Sequence, residues 1–362
     1  MNLELTDEQI ALRDTVRRFL TERASIAGHV RSMLDDDTGT TDTVWRGLAE
    51  LGATGLLVPP EYDGAGMTMV EAGVVAEELG AGLHPGPWLS SAVAATRALT
   101  RFGVANDPAA RLLAGIADGS TIATVGPLDG PRPNVVDGVA RGEIDSVWDV
   151  GAADVLLVVA DDADGTALFA VQTSAPGLDS TPQAGIDQTR KRFRVTLEDA
   201  PAQRLGTAAP EAYEALVDDV TIAWAADALG AARAILHLVV EYAKVRRQFG
   251  QPIGAFQAVQ HLCVDMYETV ELARSGVIHA LWAADAGDRA ERHASAVRTK
   301  AFAGRLAEVG DMAIQVFGGI GYTWEHDAHL YLKRLLTWSA FLGGSDRYLV
   351  QLGVQFADSV LR

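Results

Sequence analysis

The stretch Tyr242-Ala243-Lys244-Val245-Arg246-Arg247-Gln248-Phe249-Gly250-Gln251-Pro252-Ile253, followed by Phe256-Gln257 and Gln260, decides how the chain reads. Upstream of it, Tyr213, Leu216, Val220, Trp224, Asp227, Ala231, Ile235, Val239 and Tyr242 recur three or four apart with no proline between them. That spacing predicts one helix of about 30 residues, roughly 45 Å long at 1.5 Å per residue. Two adjacent guanidiniums therefore stand at the end of a very long helix. Either they answer the negative end of its macrodipole as simple caps, or they bind an anion.

The charge balance sharpens that choice. The 362 residues carry 30 Lys and Arg against 48 Asp and Glu, a net charge of −18. No basic run exceeds Arg190-Lys191-Arg192, so nucleic acid is excluded as an expected ligand. The single cysteine, Cys263, provides neither an internal disulfide nor a Cys-based zinc site, as expected of a reducing compartment. An acidic N-terminus and the lack of any charge-free apolar window of about 18 residues predict a soluble cytoplasmic protein that does not engage a membrane.

Downstream, helical periodicity continues from near Phe256 to about Asp285, then over residues 290–317 and 327–342, with a last helix after Ser345. Long helices joined by short connections predict a C-terminal four-helix bundle. Upstream, Thr6 caps a first helix that starts with Asp7 and Glu8; further helices are predicted over residues 43–51 and 69–79. Residues 58–66 hold too many Pro and Gly for regular structure. From about Ser90 to Ala117 the chain stays Ala- and Leu-rich, with breaks at Gly103 and Asp107-Pro108. Near residue 119 the texture turns to short β-branched runs, at residues 121–125, 155–160, 168–173 and 192–197, separated by Gly, Pro and Asp clusters. The expected architecture is mostly α with a central β domain: an N-terminal helical domain (1–118), a small antiparallel β domain (119–206) and the C-terminal bundle (207–362).

Common catalytic signatures are missing: the sequence has no GxSxG, HExxH, Walker-type loop or paired CxxC. Glu325-His326-Asp327-Ala328-His329 places two imidazoles at i, i+3 without an evident third ligand, so no metal is assigned. Gly318-Gly319-Ile320-Gly321 does not follow a strand, which removes a Rossmann reading.

The segment from Arg246 to Ile253 with Phe256-Gln257, then Gln315-Val316-Phe317-Gly318-Gly319-Ile320-Gly321-Tyr322 and Trp324-Glu325-His326, resembles the C-terminal half of the acyl-CoA dehydrogenases. Leu51-Gly52, Pro60-Glu61, Gly64-Ala65-Gly66 and Glu77-Glu78-Leu79-Gly80 are similar to the N-terminal domain of the same family. The resemblance implies a flavoprotein whose FAD lies in a groove shared between subunits. It further implies that Arg246, Gln248, Phe249, Phe256, Gln257, Gln315, Gly318 and Gly319 hold the diphosphate and adenosine end of a neighbouring chain's FAD. A guanidinium makes charge-assisted bonds to a diphosphate, and glycines let backbone N–H groups approach it.

Two departures stand beside the match. Where the family carries a flavin-wrapping Thr-Glu-Pro-Gly-x-Gly-Ser-Asp stretch and a stacking Trp, this chain has Thr124-Val125-Gly126-Pro127-Leu128-Asp129-Gly130 and only Trp148 nearby. The family's chemistry also needs a carboxylate to take the α-proton of the acyl-CoA. At the usual position near the C-terminus the chain reads Leu342-Gly343-Gly344-Ser345, and at the alternative position on the first long helix it reads Val220, flanked by Asp218 and Asp219. Glu241 lies far along that helix. Three readings follow. The favoured one is a subunit of a heterotetrameric acyl-CoA dehydrogenase, giving the trans half of the FAD site to a partner that carries the base, as in α2β2 enzymes acting on steroid-derived CoA thioesters. The others are a complete homotetramer with Asp219 as a displaced base, and a non-catalytic assembly or binding module. Acyl-CoA as substrate and an electron-transferring flavoprotein as electron acceptor are implied by the resemblance.

Overall fold

A computed structural model of the chain describes residues 4–103, 106–207 and 209–360. Met1, Asn2 and Leu3 of the acidic N-terminus lie outside the described residues. Five helices come first: α1 (Asp7–Arg23), α2 (Asp42–Glu50), α3 (Met69–Ala81), α4 (Thr96–Arg101) and α5 (Asp107–Ala117). Eight strands follow: β1 (Ala123–Gly126), β2 (Asn134–Val136), β3 (Val139–Trp148), β4 (Val155–Asp162), β5 (Gly165–Gln172), β6 (Leu178–Pro182), β7 (Arg192–Pro201) and β8 (Gln203–Thr207). Then come α6 (Pro210–Val245), the short strands β9 (Arg247–Gln248) and β10 (Gln251–Pro252), and helices α7 (Gln257–Ala286), α8 (Arg289–Ala303), α9 (Leu306–Phe317), α10 (Ala328–Ala340) and α11 (Ser345–Val360). By contacts the chain forms two compact units, one of Met1–Thr21, Gly73–His84 and Trp224–Arg362, the other of Glu22–Ala72 and Pro85–Ala223.

The second unit is built around the sheet, with spatial order β6-β7-β3-β2-β4-β5-β8 and β1 added beside β4. Most pairs are antiparallel, as expected; β1 runs parallel to β4 from Ala123↔Val155 to Gly126↔Val158, and β2 meets β4 in parallel at Asn134↔Asp161. Ile144, Val147, Leu156, Val158, Phe169, Val171, Phe193 and Val195 fill its core. Strand β3 was absent from the expected set because its alternation is broken twice. Register shifts fall between Ala140 and Gly142 and between Ile144 and Val147, so its inward residues are not two apart. Strands β6 and β8, at the two ends of the order, are polar, as edge strands commonly are. Helix α2 is capped by Thr41, whose Oγ1 accepts from Val44 N–H at 3.4 Å, and its Trp45 donates Nε1–H to Gly119 O at 2.8 Å. The Pro- and Gly-rich loop at 58–66 is ordered by Gly66 N–H to Val58 O and Met67 N–H to Leu56 O, both 2.8 Å.

In the first unit, Thr6 and Gln9 form a reciprocal capping box at the start of α1. The C-terminal helices match the predicted periodicity with one correction: the helix expected over 290–317 is two helices, α8 and α9. Gly304 ends α8, and a Cβ there would lie 1.9 Å from Ser345 Oγ, so the bare backbone is what lets the start of α11 approach. Helix α6 is 36 residues long, and although long and apolar enough to span a membrane, its most apolar window is 78% buried by the folded chain, as a core helix is.

Helices α3 and α6 touch backbone to backbone. A Cβ on Gly80 would sit 1.8 Å from Asp227 O, and one on Gly230 would sit 1.8 Å from Glu77 O. Around this crossing Arg17 donates to both oxygens of Glu78 at 2.9 and 2.8 Å, and Arg233 pairs with both Glu77 and Glu78. One turn away, buried Arg334 of α10 donates to Asp227 at 2.9 Å and to His84 O at 3.2 Å. Gly230→Ala is expected to force the helices apart and cost about 1 to 3 kcal/mol, the range of core overpacking, which thermal denaturation will show as a clear fall in Tm. Gly276→Ala in α7, where a Cβ meets nothing within 4 Å, is the control and is expected to leave Tm unchanged or slightly raised.

Candidate functional site

Helix α6 ends at Val245, and the chain turns back at once through β9 and β10. Gln248 pairs with Gln251 and Arg247 with Pro252, and Ile253 N–H closes the base on Arg246 O at 2.7 Å. The two turn residues, Phe249 and Gly250, both have positive φ, 50° and 81°, the requirement of a tight primed turn. Holding a phenylalanine in that conformation has a steric cost, and its ring is nonetheless 93% exposed. Its only described ring neighbour is Phe256, edge-on at 6.1 Å, at the entry to α7.

The two guanidiniums take different work. Arg247 donates Nη2–H to Gly250 O at 3.0 Å and so belongs to the turn itself. Arg246 is exposed, and its guanidinium has no partner among the described residues. Capping of the helix end by side-chain contact is therefore not what Arg246 does in the folded chain.

Beside this hairpin lies the end of α9. Phe317 is buried and packs against Tyr242 of α6, ring centres 5.0 Å apart. The next residue, Gly318, has φ 64° and ψ −144°, a conformation that only glycine adopts readily. A Cβ on Gly318 or Gly319 would meet nothing within 4 Å, so both backbones stand open to an approaching group. Gln315, Gln248 and Gln257 are exposed on the same two segments, while Phe256 is half-buried. The structure thus brings Arg246, Gln248, Phe249, Phe256 and Gln257 onto one hairpin and helix start, and Gln315, Gly318 and Gly319 onto the neighbouring helix end.

Asp219, the candidate displaced base, is committed to internal partners. It lies in the other unit, fully buried, with Arg101 donating Nε–H at 2.8 Å and Nη2–H at 3.1 Å to its two oxygens and Arg97 Nε at 3.5 Å. A carboxylate gripped in this way has no face turned to a substrate carbon; it anchors α4 to α6. Two arginines four apart in the short helix α4 are the sequence signal that this partner existed. Val220 is fully buried, Asp218 is buried, and Glu241 is taken up at 2.6 Å by Lys244. Trp148 is a core residue whose carbonyl accepts from Thr124 Oγ1 at 2.7 Å. Of the two imidazoles read as a metal candidate, His326 packs on Phe317 at 4.4 Å and His329 is buried edge-on to Trp324 at 4.7 Å.

The Leu342-to-Ser345 turn, where the resemblance leads one to look for a base, is shaped by backbone. Leu342 and Gly343 have φ of 52° and 98°, and Leu342 O accepts from Tyr348 Oη at 2.9 Å. The helix leading into it is pinned by Lys300, fully buried, whose Nζ donates to Trp338 O at 2.5 Å and Ser339 O at 3.2 Å and lies 4.0 Å from the Trp338 ring centre. Burial lowers its pKa from 10.5 to about 7.

Residues 6–120 match the acyl-CoA dehydrogenase N-terminal domain and residues 218–353 the acyl-CoA dehydrogenase C-terminal domain. The acyl-CoA dehydrogenase IpdE2 of Mycobacterium tuberculosis is 34% identical over 91% of each chain. The acyl-CoA dehydrogenase FadE34 of the same organism is 35% identical over 95% of this chain, which spans only 47% of FadE34. Among solved structures, a variant of the Tcur3481–Tcur3483 steroid ACAD aligns with a TM-score of 0.87 at 29% identity, covering 98% of this chain and 99% of that one. A chain of the ChsE4–ChsE5 complex from Mycobacterium tuberculosis aligns at 0.88 and 26% identity, covering 99% of both. The chain belongs to the acyl-CoA dehydrogenase family, a family of FAD-dependent oxidoreductases.

Two outcomes follow. Asp219→Asn leaves buried Arg97 and half-buried Arg101 without this counter-charge and is expected to cost about 3 kcal/mol of stability, while turnover per folded molecule in an active assembly is retained; loss of turnover at unchanged stability would restore Asp219 as a base. For Lys300 the unfolded chain holds a proton that the folded chain lacks between pH 7 and 10.5, so its contribution to stability rises with pH across that window, and the cost of charging it is fully present below 7. The stability of the wild type relative to Lys300→Met is therefore expected to climb between pH 7 and 10 in denaturant titrations; a pH-independent difference contradicts it.

Proposed function

We propose that this chain is a subunit of a hetero-oligomeric acyl-CoA dehydrogenase, giving the trans half of the FAD site to a partner chain that carries the base for α,β-dehydrogenation. The observation that carries the reading is the Arg246 guanidinium, exposed and unpartnered beside two open glycines and an outward-facing Phe249. These groups fit FAD: an uncommitted cation and a glycine backbone open to close approach suit a diphosphate, and amides with an exposed ring suit an adenosine. FAD, when bound, supplies the acceptor for the hydride that leaves the acyl chain. This chain's own residues bind and orient: Arg246 and the backbone at Gly318 and Gly319 would hold the diphosphate, with Gln248, Phe249, Phe256, Gln257 and Gln315 around the remainder of the dinucleotide.

What the chain lacks supports a division of labour. Glycine stands at residue 343, valine at 220, and the nearest carboxylate, Asp219, is committed to Arg101. Likeness to a steroid ACAD and to a two-component complex points to a bulky, steroid-like acyl-CoA as substrate and to a second dehydrogenase-like chain as partner in a tetramer. We place the protein in the cytoplasm, passing electrons to an electron-transferring flavoprotein.

Arg246→Ala is expected to lower the FAD content of the purified assembly, since a charge-assisted hydrogen bond contributes about 1.5 to 3 kcal/mol; unchanged flavin absorbance argues against the site. Expressed alone, the chain is expected to be colourless or poorly soluble and to recover with a co-expressed partner. Yellow protein with one FAD per chain, active without a partner, contradicts the division.

A further inference from the structure

Beneath the two exposed segments lie three rings that bind nothing in the proposed site: Tyr242, Phe317 and His326. Phe317 is buried, with its centroid 5.0 Å from Tyr242 at an interplanar angle of 50° and 4.4 Å from His326 at 51°. Each ring belongs to a different element and each is tied to what it supports. Tyr242 O accepts Arg246 N–H at 2.9 Å, so the ring and the free guanidinium share one helical turn. Phe317 directly precedes Gly318. His326 is fixed at the start of α10, where its Nδ1 accepts Ala328 N–H at 3.1 Å. Gly321 completes the arrangement, since a Cβ there would lie 3.1 Å from Phe317 Cβ and lift the 318–322 turn off that ring.

We infer that Tyr242, Phe317 and His326 form a positioning stack that sets the spacing between Arg246 and the Gly318-Gly319 backbone. The inference rests on the FAD reading of those groups. Two anchors on separate helices grip one rigid diphosphate well only when their separation matches it, and misplacement by about 1 Å is enough to lose most of a directional interaction. The hairpin's own bonds shape it locally: β9 and β10 are two residues each, Ile253 N–H closes the base on Arg246 O, and Phe249 at the tip faces solvent, so none of them reaches α9. The rings, planar and interlocked, fix in one geometry what flexible aliphatic contacts would leave adjustable.

The test titrates FAD into flavin-stripped, full-length protein in the oligomer it natively forms, following flavin fluorescence, with the Tm of the flavin-free protein measured in parallel. Phe317→Leu and Tyr242→Leu remove a ring while keeping apolar bulk, and each is expected to raise the FAD Kd about tenfold. Their double variant is expected to stay near tenfold rather than reach a hundredfold, because the residues act as one unit. Tyr242→Phe, which keeps the ring, is expected to restore wild-type affinity. Ring-removing variants that lower Tm yet bind FAD within twofold of wild type overturn the inference. Should Phe317→Leu fail to fold, the half-buried Tyr242 decides alone: an unchanged Kd in Tyr242→Leu overturns the stack. Arg246→Ala in the same titration separates the two claims. If it too leaves Kd unchanged, the FAD reading itself fails; if it weakens binding while the ring variants do not, only the stack fails.

Discussion

The first unit is organised around the place where α3 and α6 meet without side chains between them. Gly80 and Gly230 each lie against the other helix's carbonyl, so the contact admits no Cβ on either side. Close approach alone is weak, and charge makes it specific: Arg17 and Arg233 bracket Glu77 and Glu78 on one side, and Arg334 reaches Asp227 on the other. A buried carboxylate stripped of its guanidinium is far more costly than the pair is stabilising, which gives this crossing a single register. The Glu77-Glu78-Leu79-Gly80 string is thereby explained as a structural device: two carboxylates for the arginines and one glycine for the contact.

With its middle clamped, α6 presents its end in a defined place, and the chemistry there is a consequence. The exposed ring of Phe249 in a left-handed turn, Arg246 with no guanidinium partner among the described residues, and the open Gly318-Gly319 backbone are each unfavourable or idle in an isolated chain. Their coincidence at neighbouring chain segments is accounted for by a ligand or chain that covers them. The opposite holds for the carboxylate. Asp219 is neither idle nor available, and the turn at residue 343 offers backbone in place of an acid. On the proposed reading, this chain contributes to holding the dinucleotide and its partner supplies the base.

Much of the fold was legible because long helices write their period into the sequence: the bounds of α6, α7 and α10 fall within a few residues of those the spacing predicts. The break between α8 and α9 was not, since Gly304 ends a helix here through its approach to Ser345, a tertiary fact. Strand β3 was hidden by its own register shifts, and β6 and β8 by the polar composition that suits edges. For the site, the segments that face outward were readable as motifs, because they carry strings that resemble those of the family. The groups that depend on internal partners were not: nothing local distinguishes Asp219 from Asp218 until Arg101 is placed beside it, and Phe317 reads as one more apolar residue until Tyr242 and His326 flank it.

The most direct test of the account is a structure of the flavin-loaded assembly, read for which chain touches which part of the cofactor. The account predicts that Arg246 and the Gly318-Gly319 backbone contact the diphosphate of an FAD whose flavin ring is enclosed by a different chain, with a carboxylate of that partner at the substrate's α-carbon. An FAD enclosed by this chain alone, or an Arg246 left in solvent beside a fully bound cofactor, contradicts it.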